Sequence, residues 1–215
     1  MAQRPKEEVR RRIVAAARAE LATSGLEKTT LAHVASRAGT SIGNLYKYFA
    51  GKDELYAAAV PGEVARELAR LLCARASALG ATRDPSTLDA DHPYLAASRE
   101  LLAFTLAHRD VVLFLLDRAD GTPHAGYLDD RVDELVTIAL THVARAYPRA
   151  RPSAGQRRAL GRMYRAFVQT LVAALRDERS EPALVRALGW ASTYHLAGLR
   201  AFFETLEPTT KRGTS

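Results

Sequence analysis

The chain has 215 residues, 47% of them hydrophobic, which suffices for one large domain or a small one joined to a larger; no apolar run reaches the length of a membrane span. Cys73 is the only cysteine, so no internal disulfide forms, and MAQRPKEEVRRR has no apolar segment after its charges; export is not expected and a reducing, cytoplasmic location is. Net charge is +7, but residues 1–52 hold ten Lys/Arg against four Asp/Glu while the remaining 163 hold 21 against 20, so the basic excess is gathered at one end, as phosphate attraction requires.

Val9, Ile13, Ala17 and Leu21 recur at helical spacing and predict a helix over about Glu7–Ser24, ended by Gly25 and preceded by Arg4 and Pro5 as a short mobile arm. Thr30 suits the N-cap of a second helix with Leu31, Val34, Ala35 and Ala38 on one face. Gly39 stands where a left-handed C-cap is needed, and Ser41 caps the next helix. There Ile42, Leu45 and Phe49 form the expected buried stripe, with Gly43, Asn44, Lys47 and Tyr48 opposite. Two helices joined by a short glycine turn, the second displaying hydrogen-bonding groups, describe a helix-turn-helix that binds double-stranded DNA.

Each of these residue types has a physical reason to be there. Asn44 can pair bidentately with adenine, and Ile42 can meet a thymine methyl wherever its side chain is not wholly buried. Gly43 costs about 1 kcal/mol in a helix relative to alanine, which close backbone approach to a duplex would offset. Ser41, Lys47 and Tyr48 suit contact with the nucleic acid, and the hydroxyls of Thr29 and Thr30 at the start of the second helix can position a phosphate backbone. Lys52 opens a helix, where a cation opposes the macrodipole, and reads as a phosphate anchor. Arginine outnumbers lysine 26 to 5, yet four lysines and the single asparagine, Asn44, fall in the first 52 residues. A three-helix structural subdomain with a decorated surface is the bland alternative.

Gly25, Thr29, Thr30, Val34, Ala35, Ala38, Gly39, Ser41, Gly43, Leu45, Tyr46, Phe49, Lys52, Leu55 and Tyr56 resemble, without a gap, the DNA-binding signature of the TetR/AcrR family of bacterial regulators. The segment departs from that pattern at Leu26, where an aromatic is commoner, and at Thr40, where an aliphatic is. The resemblance implies a phosphate contact for Tyr46, a homodimer, and an effector that tilts the helix following the motif. Paired recognition helices must meet half-sites ~34–36 Å apart, so a shift of a few ångströms loses the fit. Beyond residue 60 the likeness is one of length and helical character, and no ligand carries over.

Asp53 and Glu54 open a helix running to about Leu79, interrupted at Pro61-Gly62 by either a kink or an end and restart. After a polar loop over 80–93, helices are expected over Tyr94–His108, over an all-round apolar Val111–Leu116 capped by Asp110, and over Tyr127–Tyr147. Two more follow over Arg157–Arg176 and from Pro182 to about Leu206. The reading is all-α, about nine helices: a helix-turn-helix domain over 1–52, a larger effector-binding and dimerisation domain over 53–208, and a disordered tail over 209–215.

The last two helices carry apolar stripes at Leu160, Met163, Tyr164, Phe167, Leu171 and Leu175, and at Leu184, Leu188, Leu196, Leu199, Phe202 and Phe203. Leu171, Leu175, Leu188, Leu196, Leu199, Phe202 and Phe203 are the candidate interface of an isologous four-helix bundle, as in the family; closing the monomer core is the alternative. A small-molecule pocket is expected among the middle helices, with Phe104, His108, Phe114, Asp117, His142, Tyr164 and Phe167 as candidates against ordinary packing. The six histidines show no metal-ligand spacing, and neither metal nor cofactor is expected. The reading is a dimeric regulator, a repressor released from a palindromic operator by an apolar or amphipathic effector. An activator using the same motif and a non-specific DNA-coating protein are the rivals. An enzyme is disfavoured by the lack of a nucleophile–base pair or phosphate-binding glycine loop.

Overall fold

A computed structural model describes residues 3–84 and 88–207, with side chains from Lys6 onward. The tail expected over 209–215 lies outside the described residues. All regular structure among the described residues is helical: α1 (Gln3–Lys28), α2 (Leu31–Arg37), α3 (Ile42–Leu45), α4 (Lys52–Ala59), α5 (Gly62–Ser77), α6 (Pro93–Ala107), α7 (Arg109–Asp117), α8 (Tyr127–Ala146), α9 (Ala154–Asp177) and α10 (Glu181–Glu204). The chain forms two compact units, one of Met1–Ala69 with Thr105–Leu128, the other of Arg70–Phe104 with Asp129–Ser215. α4, the first half of α5 and α7 join the amino-terminal unit.

In that unit α1 packs against α2, α4 and α7 through buried Ile13, Ala16, Ala17 and Leu21. Arg4 and Pro5 belong to α1 and are not a separate arm, since proline is tolerated in a first helical turn. At the other end Gly25 (φ 74, ψ 176) leaves helical geometry in a region open to glycine alone, so the regular run stops there although helical turns resume to Lys28. The apolar α7 is buried on every side from Val111 to Leu116. Its cap differs from the expectation: His108 occupies the N-cap position without a capping bond, and Asp110 lies inside the first turn.

The Pro61-Gly62 alternatives resolve as a break, so ten helices are seen among the described residues where about nine were expected. Proline disfavours helical backbone in the residue before it, and Val60 adopts φ −121, ψ 75. The Pro61 carbonyl then accepts from Val64, starting α5 afresh.

The second unit is built on α8, α9 and α10, with α9 packed on α10. Ser153 and Gln156 form a reciprocal capping box that starts α9 at Ala154, earlier than the apolar pattern suggests. Ser180 caps α10, with Pro182 in its first turn as expected. Tyr94, Tyr147, Leu160, Leu175, Leu184 and Phe203 are among its buried side chains.

Candidate nucleic-acid interface and effector cavity

The helix-turn-helix is assembled by local bonds. The Thr30 hydroxyl accepts from the His33 N–H (3.1 Å), and the Ser41 hydroxyl from the Asn44 N–H (3.1 Å). Between them Gly39 (φ 64) sits in the left-handed region while the Gly39 and Thr40 N–H groups donate to the Ser36 and Ala35 carbonyls (3.1 and 2.9 Å). This paired arrangement closes α2 and turns the chain into α3. Leu45 and Phe49 are buried, and Arg10 stacks over the Phe49 ring at 5.2 Å.

Ile42 departs from its expected place in the buried stripe. It is 43% exposed, because α3 is a single turn and its first residue faces away from the α1–α2 core. Beside it stand exposed Tyr46, Lys47, Ser41 and Gly43, with Asn44 and Tyr48 half-buried. Asn44 donates from Nδ2 to the Thr40 hydroxyl at 2.8 Å. One amide hydrogen is thereby used, while its carbonyl and second hydrogen suffice for a bidentate base contact. Thr40, marked in the sequence only as a departure from the family pattern, therefore orients Asn44; the i, i+4 spacing was the available signal. A Cβ built on Gly43 would meet nothing within 4 Å, and the residue is not among the positive-φ glycines.

Two candidates are engaged elsewhere. Thr29 is buried, and its hydroxyl donates to the Gly25 carbonyl at 2.7 Å, so it braces the α1 break from inside. Lys52 is half-buried and its ammonium bonds the Leu26 carbonyl, tying the start of α4 to the end of α1. Arg37 pairs with Glu20 at 2.7 Å, and Arg18 donates to the Ala59 carbonyl at 2.9 Å, so the exposed cations of the unit are chiefly Lys6, Arg10, Arg12, Lys28, Lys47 and Arg66.

The effector candidates divide. His142, Tyr164 and Phe167 line one cavity of about 60 Å³ in the second unit. Phe104 does not line it, and His108, Phe114 and Asp117 belong to the other unit. There Phe114 is fully buried edge-on to Tyr56 (5.8 Å, 68°), and Asp117 pairs with Arg118 at 2.9 Å. In the cavity, His142 donates from Nδ1 to the Gly80 carbonyl (2.9 Å); burial pushes its imidazole below the usual range against that bond. Phe167 stacks on His195 (4.0 Å, 5° between planes), and Tyr164 meets the same ring edge-on at 5.1 Å.

Arg75, Tyr94 and His195 also line this cavity and were missed. Arg75 stands in helical register with Leu68, Leu72 and Leu79, as His195 does with Leu188 and Leu199. A polar residue on an otherwise apolar stripe was the signal.

The dimer candidates face differently from the expectation. Leu175, Leu199 and Phe203 are buried within the unit, and Leu171, Leu196, Leu199 and Phe203 line the cavity. Leu188 and Phe202 are half-buried. The outward apolar residues of α9 and α10 are instead Met163, Val185, Trp190 (71% exposed) and Tyr194 (84% exposed). Met163, Ala166, Thr170, Ala191 and Gly198 line a groove of about 270 Å³ between these helices.

Residues 13–59 match the family described as "Bacterial regulatory proteins, tetR family". No curated protein matches the chain. Among the solved structures that resemble it are the following two. A candidate TetR-family transcriptional regulator from Mesorhizobium loti MAFF303099 is 17% identical with a TM-score of 0.42, over 88% of this chain and 96% of that one. A TetR-family transcriptional regulator from Streptomyces coelicolor is 19% identical with a TM-score of 0.37, over 96% of this chain and 92% of that one. The match over 13–59 falls on α1 to α4, the elements that build the helix-turn-helix, and in that segment the chain is similar to the tetR family of bacterial regulatory proteins.

Proposed function

We propose that the chain is a cytoplasmic, homodimeric transcriptional repressor that binds a palindromic operator through α3 and is released by a small molecule held in the second unit. Its role is regulatory and not catalytic. The observation that carries the reading is the surface of α3: Ile42, Tyr46 and Lys47 stand exposed around the open backbone of Gly43, with Asn44 held by Thr40. Apolar, cationic and amide groups side by side suit base edges and phosphates together. The basic surplus lies in the same segment.

Pairing is read from Trp190 and Tyr194, which leave large apolar area in water on α10. Gly189 and Gly198 have nothing within 4 Å of a built Cβ, so a second copy's helices can approach closely. An effector releases DNA only by binding the released conformation more tightly than the bound one.

Selection of duplexes from a random pool by the full chain tests this reading. The expected product is a palindrome with half-sites about one helical turn apart, ~34–36 Å, bound in a strongly salt-dependent manner. A pool without a shared sequence, matched by unrelated DNA in competition, would refute specific regulation in favour of DNA coating. An activator would use the same contacts, and transcription in vitro from a promoter overlapping the selected site separates the two.

A further inference from the structure

The polar end of the cavity in the second unit is built around Arg75. Its Nε donates to the Ser98 hydroxyl (3.0 Å), and one terminal nitrogen, Nη2, donates to the Tyr94 hydroxyl and to the Ser192 hydroxyl (3.3 Å). The guanidinium carbon lies 4.7 Å from the centre of the Tyr94 ring. Every one of these partners is neutral. A guanidinium has five N–H donors, so both hydrogens on Nη1 remain unused. Burial lowers the pKa of Arg75, and no carboxylate pairs with it among the described residues.

Two further polar groups line the same space without partners. The Tyr164 hydroxyl makes no hydrogen bond among the described residues, and the buried Nε2 of His195 has none. Apart from His142, whose Nδ1 is spent on the Gly80 carbonyl, the remaining walls are apolar, including Leu72, Leu135, Ile138, Leu171 and Leu196. A half-buried cation with unspent donors, beside the unsatisfied His195 Nε2 and an unbonded phenol and facing hydrocarbon, is well completed by an anion.

We propose that the cavity binds a small amphipathic monocarboxylate, its head group on Arg75, Tyr164 and His195 and its hydrocarbon against Leu135, Ile138 and Leu196. This rests on the reading of that cavity as the effector site and names the effector's class. One negative charge matches the one available positive charge. His195 adds none, since burial and the adjacent Arg75 push its imidazole down to about 4. A phosphate dianion would bring a second, uncompensated charge into an apolar space. The cavity's 60 Å³ has room for about four to six water-sized groups at roughly 10–15 Å³ each, the size of a four-carbon acid. A longer tail must displace the Phe167–His195 stack, because those two rings and Leu199 also line the α9–α10 groove.

Ligand-observed NMR on the full chain, at fixed ionic strength, compares butanoate and hexanoate with butanamide, hexanamide and butyl phosphate. The carboxylates should bind at least tenfold more tightly than the matched amides, and more tightly than the phosphate ester. Arg75→Gln should abolish the acid–amide difference, and Tyr164→Phe should weaken the acids alone. Equal binding of acid and amide, no binding of the acids, or preference for the phosphate ester would each overturn the proposal. Should Arg75→Gln fail to fold by circular dichroism, the acid-to-amide ratio of the unaltered chain and Tyr164→Phe decide. Release of the selected operator is scored separately. Carboxylates that bind without releasing DNA leave the site standing and remove the effector reading. Release by uncharged compounds while carboxylates fail to bind does the reverse.

Discussion

Replacing Gly43 by alanine should move folding and DNA binding in opposite directions. Gly43 is the second residue of α3 after its Ser41 cap, it is not among the positive-φ glycines, and an added Cβ would meet nothing within 4 Å. Within the isolated chain, glycine therefore brings only its backbone entropy cost, and alanine should stabilise by about 0.5–1 kcal/mol. For a chain of this length that corresponds to a rise in Tm of roughly 1–4 °C. If the backbone of α3 comes against the duplex, the same methyl intrudes into a packed interface, where overpacking costs about 1–3 kcal/mol, or roughly 5- to 150-fold in affinity. Thermal unfolding followed by circular dichroism measures the first effect; fluorescence anisotropy with the selected duplex at constant salt measures the second. Unchanged DNA affinity with raised Tm would refute close backbone approach. A lowered Tm would refute the account of the backbone itself.

The other expectations concern separate parts of the chain. Asn44→Ala should cost about 1–3 kcal/mol at the selected operator and little on random DNA; Lys47→Ala should weaken both and flatten the salt slope by about 0.9, so equal losses for Asn44→Ala on both DNAs would remove it from base reading. Lys52→Ala should destabilise the fold by roughly 1–2 kcal/mol, measured by urea denaturation, through loss of the bond to the Leu26 carbonyl; an unchanged midpoint with a flattened salt slope would instead mark it as a phosphate anchor. Trp190→Asp and Tyr194→Asp should turn a dimer into a folded monomer in sedimentation at micromolar concentration, whereas Leu199→Asp, at a buried site, should unfold the unit. Cys73 is held protonated: burial first, then donation of its S–H to Glu134 Oε2 at 3.1 Å, pushes the thiol up to about 11. Since the thiolate is the nucleophile, only about a thousandth of it is ionised at pH 8, and alkylation should be about a hundredfold slower than for an ordinary thiol, accelerating as pH rises toward 11.

What the linear sequence determined was the chemistry that acts over three or four residues. Thr30, Gly39 and Ser41 announce where α2 starts, where it turns and where α3 begins, because each satisfies a backbone group within its own turn. The Ser153–Gln156 box was legible by the same rule, although the apolar periodicity drew the start of that helix later. Tertiary structure decided the rotational phase of α9 and α10. Both helices are apolar over more than one face, so spacing alone does not tell inward from outward residues. Only packing turns Leu175, Leu199 and Phe203 inside and leaves Trp190 and Tyr194 in water. It also decided that α7 belongs with α1 and that Phe114 packs on Tyr56, through pairings far apart in the chain. Arg75 is the clearest case. From its neighbours in sequence it is one charge on a leucine stripe. Ser98, Tyr94 and Ser192, brought from other helices, make it a half-buried, hydrogen-bonded cation beside a largely apolar cavity, because the environment of such a charge is composed by the fold.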